Sequence, residues 1–562
     1  RSVDKVPVAV GSGGAVATVD AEATRVGLEV LRKGGNAVDA AVAAAATLGV
    51  TEPYSAGIGG GGFFVLYDAA SGEVHTIDGR ETAPMAMQSD AFVEDGVPLP
   101  FAEAVTSGLS VGVPGTPATW DRALAEWGTI DLRTALKGAT QVARRGFVVD
   151  QTFVDQTAAN AARFAAFPAS AALFLPGGAP PVVGSKFRNR DLAATYDLLA
   201  RHGVGALYTG RLAQEIVDTV QEPPVAPGST LTVRPGLMEL GDLASYVAPL
   251  RAPTHVAYRG LDVYGMAPPS SGGSTVGEAL NILETVDLGS LDETQALHHY
   301  LEASALAFAD RNRYVGDSDF VDVPLDELLS DGFAAERACL IDPAAALLKP
   351  VAPGQPDGDY ADCEVAGMPG TEGSGNLSTT HLTTADRWGN VVSYTLTIES
   401  TGGNGMVVPG RGFLLNNELT DFNFTDTQGG SDPNLPAPGK RPRSSMAPTI
   451  VLLDGEPFLA LGSPGGSTII TTVLQVLVNR VDLGMDLAEA VAAPRATQRN
   501  TFAVQAEPGF PRDGLAALGH FFADNPEIGA ATGIELLPDG SFMAVAEPTR
   551  RGGGSAGVVH RS

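Results

Sequence analysis

Lysine is scarce in this chain: only Lys5, Lys33, Lys137, Lys186, Lys349 and Lys440 occur among 562 residues. There is no polybasic tract on which a phosphate backbone or lipid headgroup could settle. The 36 Lys plus Arg are outnumbered by 65 Asp plus Glu, for a formal net charge of −29, which weighs against nucleic-acid and membrane-surface partners. Cysteine is scarcer still. Cys339 and Cys363 rule out a disulfide-dense scaffold and a cysteine-based zinc cluster, leaving one bridge in an exported protein or two buried thiols. Long apolar runs are missing too: the longest, Ala40 to Val50, has 11 residues, against about 20 for a membrane-spanning helix, and reads as a buried helix. H-E-x-x-H, C-x-x-C and Walker patterns are absent and the eight histidines are scattered, so no metal or cofactor is expected.

What is present is a large core in prospect. Hydrophobic residues make up 44% and charged residues 18% of the chain, the balance of a folded protein. At about 150 residues per domain the length suggests three or four domains. The first residue is Arg1 rather than Met; removal of an export signal would explain that, as would a trimmed boundary.

From Asp20 to Ala46 the pattern is helical, broken at Lys33-Gly34-Gly35-Asn36. A glycine-rich loop, Gly57 to Gly62, then leads into a strand at Phe63 to Tyr67. The loop satisfies G-x-G-x-x-G, but a dinucleotide site has its strand before the loop and its helix after it, and here that order is reversed. Close packing is the better reading. Helical segments follow at Pro117 to Trp127, Leu132 to Gly146 and Thr294 to Asp310, while the Ala-, Pro- and Gly-rich stretch from Ala162 to Gly184 reads as a surface excursion. Lys349 to Ser378 has the composition of an exposed, flexible segment. A G-x-S-x-G match at Gly553 to Gly557 lies in a glycine-rich tail without the strand–turn–helix setting of a nucleophile elbow.

Immediately after the flexible segment the pattern becomes β. Thr379 to Thr384, a turn at Asp386-Arg387-Trp388-Gly389-Asn390, and Val391 to Ile398 spell a hairpin. Symmetry about Trp388 sets Thr379 opposite Thr397. Two hydroxyls meeting at the start of a strand have chemistry in them, because a threonine becomes a nucleophile when its own free amine can take its proton.

The hairpin and its flanks carry a resemblance. Leu377-Ser378-Thr379-Thr380-His381, Leu414 to Phe422 and Lys440-Arg441-Pro442-Arg443-Ser444-Ser445-Met446 resemble motifs of the γ-glutamyltransferase (glutathione hydrolase) family. So do Gly34 to Ala41, Gly57 to Gly62, Asp78 to Pro84, Pro268 to Gly273 and Gly462 to Gly466, in the family's order along nearly the whole chain. The resemblance implies an N-terminal-nucleophile hydrolase of α/β class, a four-layered αββα sandwich. It implies a precursor that cuts itself between Ser378 and Thr379 into a large subunit, 1–378, and a small subunit, 379–562, the two forming one structural domain as a heterodimer. In place of three or four domains, the length then marks a cleavage.

On this resemblance Thr379 is the nucleophile and Thr397 its hydrogen-bond partner. Gly465 and Gly466 match the oxyanion donors; Arg80, Ser444 and Ser445 match the groups holding the substrate's α-carboxylate, and Glu418 and Asp421 match the α-amino contacts. One departure is Glu399, where many members carry Asn. Three carboxylates about the ammonium position favour a cationic α-amine and disfavour a glutaryl group, which argues against cephalosporin acylase-like activity. The stretch Asp386-Arg387-Trp388-Gly389-Asn390 with the following Thr397-Ile398-Glu399 resembles the capsule-depolymerase-like branch, and the 18 residues between Asp421 and Lys440 are shorter than a full lid. The implied activity is transfer of a γ-glutamyl group from glutathione or a similar small molecule to water or to an amino acid or peptide acceptor, in a secreted or extracytoplasmic protein. The alternatives are a poly-γ-glutamate-processing or specialised γ-glutamyl amidase, and an inactive homologue.

Overall fold

The computed structural model describes residues 4–360 and 378–561. Its centre is a pair of seven-stranded sheets. The hairpin sheet runs, edge to edge, Ser555–Val558, Gly14–Thr18, Thr380–Asp386, Val391–Thr397, Gly61–Asp68, Glu73–Gly79 and Leu250–Arg251. Its partner runs Val8–Gly11, Phe542–Val545, Thr532–Leu536, Glu456–Gly462, Thr449–Leu453, Leu261–Gly265 and Thr254–Tyr258.

Alternation along the strands builds the layers. Phe63, Val65, Ala385 and Val391 join Ile450, Leu459 and Leu461 of the partner sheet in one core, which extends to the helices Gly272–Glu284, Glu293–Tyr314 and Thr468–Val481. The opposite residues of the hairpin sheet, Phe64, Leu66, Leu382, Val392, Tyr394 and Leu396, belong to a second core with the helices Ala37–Thr51, Leu132–Arg145 and Arg190–His202. Helices therefore cover both outer faces, giving the αββα order.

Local chemistry explains the central helix and loop. Asn36 and Asp39 form a reciprocal capping box at the start of Ala37–Thr51, every residue of which is buried. Asp386 of the hairpin turn accepts from the Ala37 N–H at 2.8 Å and Thr384 Oγ1 donates to the Ala37 carbonyl at 2.7 Å, so the helix is pinned to the hairpin. The Gly57–Gly62 loop is a close-packing device, as its order of elements indicated: a Cβ on Gly60 would sit 2.0 Å from the Thr397 carbonyl oxygen.

Three stretches differ from their reading in the sequence. Ala162–Gly184 is not merely a surface excursion; Phe164, Phe167 and Phe174 are buried, and Tyr54 packs on Phe164 and Phe174 with ring centroids 5.5 and 5.0 Å apart. The tail at Gly553–Gly557 is mostly a strand, Ser555–Val558, paired antiparallel to Gly14–Thr18. The start of the segment read as flexible is anchored: Lys349 is ion-paired with buried Glu302, and Val351 exchanges two hydrogen bonds with the Asn500 side chain at 2.7 and 3.0 Å. Residues 361–377 lie outside the described residues. Cys339 is disulfide-bonded, and the other cysteine, Cys363, lies in that undescribed stretch. No helix among the described residues is long and apolar enough to cross a membrane.

Candidate active site

The hairpin register is the one its symmetry about Trp388 gives, with Thr380 opposite Leu396 and His381 opposite Thr395. One step further, Thr379 Oγ1 donates to Thr397 Oγ1 at 2.9 Å. Thr397 Oγ1 also accepts the Glu399 N–H at 2.8 Å, so both its acceptor positions are used and its orientation is fixed. On the strand Thr380–Asp386, His381 is wholly buried and bonded to the hydroxyls of Thr395 and Thr383 at 2.8 and 3.0 Å; burial pushes it down to about 3, so it is neutral.

Thr379 is 5% exposed and has φ +100°, a conformation that a β-branched residue occupies only under strain, of about 1–3 kcal/mol. The neighbouring carbonyl groups are gripped from both sides. The Gly465 N–H donates to the Ser378 oxygen at 3.4 Å, and Arg551 Nη1 donates to the Thr379 oxygen at 2.9 Å. Gly465 and Gly466 have φ +136° and +59°, and the helix Thr468–Val481 begins just beyond them. Backbone N–H groups and the positive end of the helix dipole thus converge where an oxyanion would form.

A cavity of about 270 Å³ lies against this point, lined by Thr379, Thr397 and Gly466 together with Arg80, Glu399, Glu418, Asp421, Ser444 and Ser445. Every site residue expected from the sequence is therefore in or beside one cavity, with Ser378 and Gly465 at its back. The detail of Arg80 differs from expectation. Its guanidinium is already engaged, with Nη1 3.0 Å from Glu418 Oε2, Nη2 2.6 Å from Asp421 Oδ2, and Nε and Nη2 donating to the carbonyls of Pro442 and Arg443. Burial opposes its charge, but Glu418 and Asp421 more than reverse that and hold it above the usual range.

The acids are unequal. Burial, reinforced by the neighbouring Glu81, pushes Glu418 well above the ordinary carboxylate range against the opposing pull of Arg80. Glu399, at φ +79°, accepts from Ser400 Oγ at 2.5 Å and from Asn417 Nδ2 at 2.6 Å. Burial, then Asp421, raises its pKa. Glu399, with no ion pair among the described residues, and Asp421, already paired with Arg80, are the remaining acids that line the cavity.

The sequence reading passed over Arg311, Arg443 and Arg551. Arg443 lies inside the motif Lys440–Met446, and Arg311 lies near the end of the buried run Ala296–Asn312, where a buried charge is itself a signal. Arg551 has no local signal. The aromatic residues of the cavity lining, Phe101, Phe422 and Phe424, were likewise unmarked.

The family model for gamma-glutamyltranspeptidase matches residues 23–557. The glutathione hydrolase proenzyme of Bacillus subtilis (strain 168) is 39% identical over 555 residues, 97% of this chain and 92% of that protein. Among solved structures, cephalosporin acylase from Bacillus halodurans superposes with a TM-score of 0.86 at 29% identity, covering 100% of this chain and 98% of that one. Helicobacter pylori gamma-glutamyltranspeptidase superposes with a TM-score of 0.54 at 33% identity, covering 58% and 91%.

Proposed function

The chain belongs to the gamma-glutamyltranspeptidase family, and from that premise we propose that it is a γ-glutamyltransferase and glutathione hydrolase that activates itself by cutting the Ser378–Thr379 bond. The observation that carries the proposal is the 2.9 Å contact from Thr379 Oγ1 to Thr397 Oγ1 beside the Gly465 donor.

In the precursor, Thr379 Oγ attacks the Ser378 carbonyl carbon, whose oxygen is polarised by the Gly465 N–H. The acyl group moves from nitrogen to oxygen, and water hydrolyses the resulting ester. Ser378 then ends in a carboxylate, Thr379 begins with a free amine, and the enzyme becomes a heterodimer. That amine takes the hydroxyl proton as Oγ attacks the γ-carbonyl of a donor. The Gly465 and Gly466 N–H groups hold the oxyanion, the proton passes to the departing amine, and a γ-glutamyl ester remains on Thr379. Water or an amino acid or peptide amine, deprotonated by the same Thr379 amine, resolves it. Ser444 and Ser445, with Arg80 beside them, hold the α-carboxylate, while Glu399 and Asp421 receive the α-ammonium. The disulfide at Cys339 supports work in an oxidising, extracytoplasmic compartment.

A second reading is favoured by the likeness to a cephalosporin acylase. Glu399 and Asp421 oppose it, since a glutaryl group brings no cation to them. Thr379→Ala tests the main proposal: neither cleavage nor turnover of a γ-glutamyl anilide is expected, whereas the parent chain yields two fragments, one beginning Thr-Thr-His-Leu. A variant that still splits or still releases product overturns the assignment, and preference of the parent for glutaryl over γ-glutamyl anilide establishes the second reading.

A further inference from the structure

The charges lining the cavity do not balance in the way the motif residues suggest. Arg80 is matched by Glu418 and Asp421. Arg311 and Arg443 line the same cavity, 7% and 8% exposed, and among the described residues neither has a carboxylate within ion-pair distance. Asp421 acts on both only at longer range, as does Asp432 on Arg443. A buried cation without a counter-ion is costly, and burial holds Arg311 well below the usual guanidinium range, reinforced by the charge of Arg443.

The partners of Arg311 are neutral oxygens. Its Nε donates to Ser271 Oγ, its Nη1 to Asn312 Oδ1 and its Nη2 to Ser445 Oγ, each at 2.8 Å. Ser271 Oγ passes the bond on to the Ser444 carbonyl at 2.7 Å. One guanidinium therefore fixes both members of the Ser444–Ser445 pair. Ser445 Oγ accepts from Arg311, and Ser444 Oγ accepts the Met446 N–H at 3.0 Å. With an acceptor position filled on each, the two hydroxyl protons are left to be donated, and both serines line the cavity. A pair of donating hydroxyls, one backed by an uncompensated cation, is an anion receptor.

We propose that Arg311 is the positioning residue that turns Ser444 and Ser445 into the carboxylate receptor of this site. Its charge, with that of Arg443 beside it, adds to that of Arg80 toward the donor's α-carboxylate. The inference rests on reading the cavity as the γ-glutamyl site. It assigns selectivity for an α-carboxylate to a residue on the helix Glu293–Tyr314 that touches substrate only through Ser445.

The test is competitive inhibition of γ-glutamyl anilide turnover by three probes: L-glutamate, glutarate, which lacks the ammonium, and 4-aminobutyrate, which lacks the α-carboxylate. In Arg311→Met, inhibition constants for glutamate and glutarate should rise about 10- to 100-fold, the loss of one charge-assisted hydrogen bond, while that for 4-aminobutyrate stays within about threefold. Arg311→Lys should recover part of the loss. An equal rise for all three probes, as a merely structural residue would give, overturns the inference, and so does an unchanged constant for glutamate. Self-cleavage into two fragments reports whether each variant folds. If the Met variant does not, Ser445→Ala decides: it should lose selectivity for glutamate over 4-aminobutyrate by a similar factor, and retained selectivity overturns the inference. A parent enzyme that never cleaves and never turns over the anilide defeats the γ-glutamyl reading itself, an outcome distinct from any of these.

Discussion

Replacing Thr397 by valine keeps the shape of the side chain and removes one oxygen, and two hydrogen bonds end on that oxygen. The Thr379 hydroxyl loses the acceptor that orients it at 2.9 Å, and the Glu399 N–H loses its partner at 2.8 Å in a buried place. The second loss strands a donor, at a cost of about 1–3 kcal/mol of stability. Part of that is returned, because Glu399 sits at φ +79°, a strained backbone that the bond helps to hold; an observed loss of about 1–2 kcal/mol in urea denaturation is therefore expected. The first loss lets the nucleophile rotate away from its line of attack. With about 1.4–2.8 kcal/mol added to the barrier, self-cleavage should slow about 10- to 100-fold. The assay is the time course of precursor disappearance on a denaturing gel, followed by turnover of γ-glutamyl anilide once cleaved. Because Glu399 shifts as its restraint goes, KM should rise along with the fall in kcat. Thr397→Ser, which keeps the hydroxyl, should cleave within about threefold of the parent rate. A valine variant that loses stability yet cleaves with the parent half-time would refute the reasoning, by showing the hydroxyl to be a packing element alone.

Burial and Asp421 keep Glu399 partly protonated in the empty site, and an entering α-ammonium favours its ionised form. Binding of glutamate near neutral pH should therefore release protons, visible as a dependence of calorimetric heat on the buffer's ionisation enthalpy. Glu399→Gln should abolish that release and raise KM about tenfold for α-ammonium donors, as loss of a charge-assisted contact would; an unchanged KM refutes the contact. Gly465→Ala places a Cβ 2.4 Å from Thr468 Oγ1 at φ +136°, so cleavage and turnover should both fall by about 100-fold or more, read on the same gel and anilide assays. His381 is held at about 3 against an ordinary 6.5 by burial, so the unfolded chain binds its proton first as pH falls. The stability that neutral His381 confers is complete above about pH 6.5 and is lost toward pH 3, at about 1.4 kcal/mol per unit. His381→Gln should flatten the fall of the denaturation midpoint over that window by this amount.

The hairpin was legible because everything that fixes it is local: β-branched runs, a Gly–Asn turn, and a side-chain period of two that leaves no freedom of register. Thr379 and Thr397 follow from that register alone. Arg80, Ser444 and Ser445 were legible as members of motifs, but their bonds were not. That Glu418 and Asp421 already occupy Arg80 depends on how segments hundreds of residues apart pack. Arg311 is harder still, since a helix pattern records which face is apolar and not which serine a guanidinium will reach. The errors at Ala162–Gly184 and Gly553–Gly557 share a cause. Composition suggested surface, whereas burial of Phe164 beside Tyr54 and pairing of Ser555–Val558 with Gly14–Thr18 are long-range events with no local signature.

Both strands of the catalytic hairpin are flanked by strands from before the Ser378–Thr379 bond: Thr380–Asp386 lies against Gly14–Thr18, and Val391–Thr397 against Gly61–Asp68. Val8–Gly11 and Leu261–Gly265 likewise pair with strands from beyond it. If that bond is cut as proposed, the described strands leave no surface along which the two pieces could part as folded bodies, because the seam runs through the middle of both sheets. Dissociation and denaturation become a single event, and the separated pieces would each expose the edges of half a sheet, open to pairing with any other chain. Heat or urea should thus inactivate the cut enzyme irreversibly under conditions from which the uncut Thr379→Ala chain refolds. The proposed cleavage would make folding a step the molecule takes once.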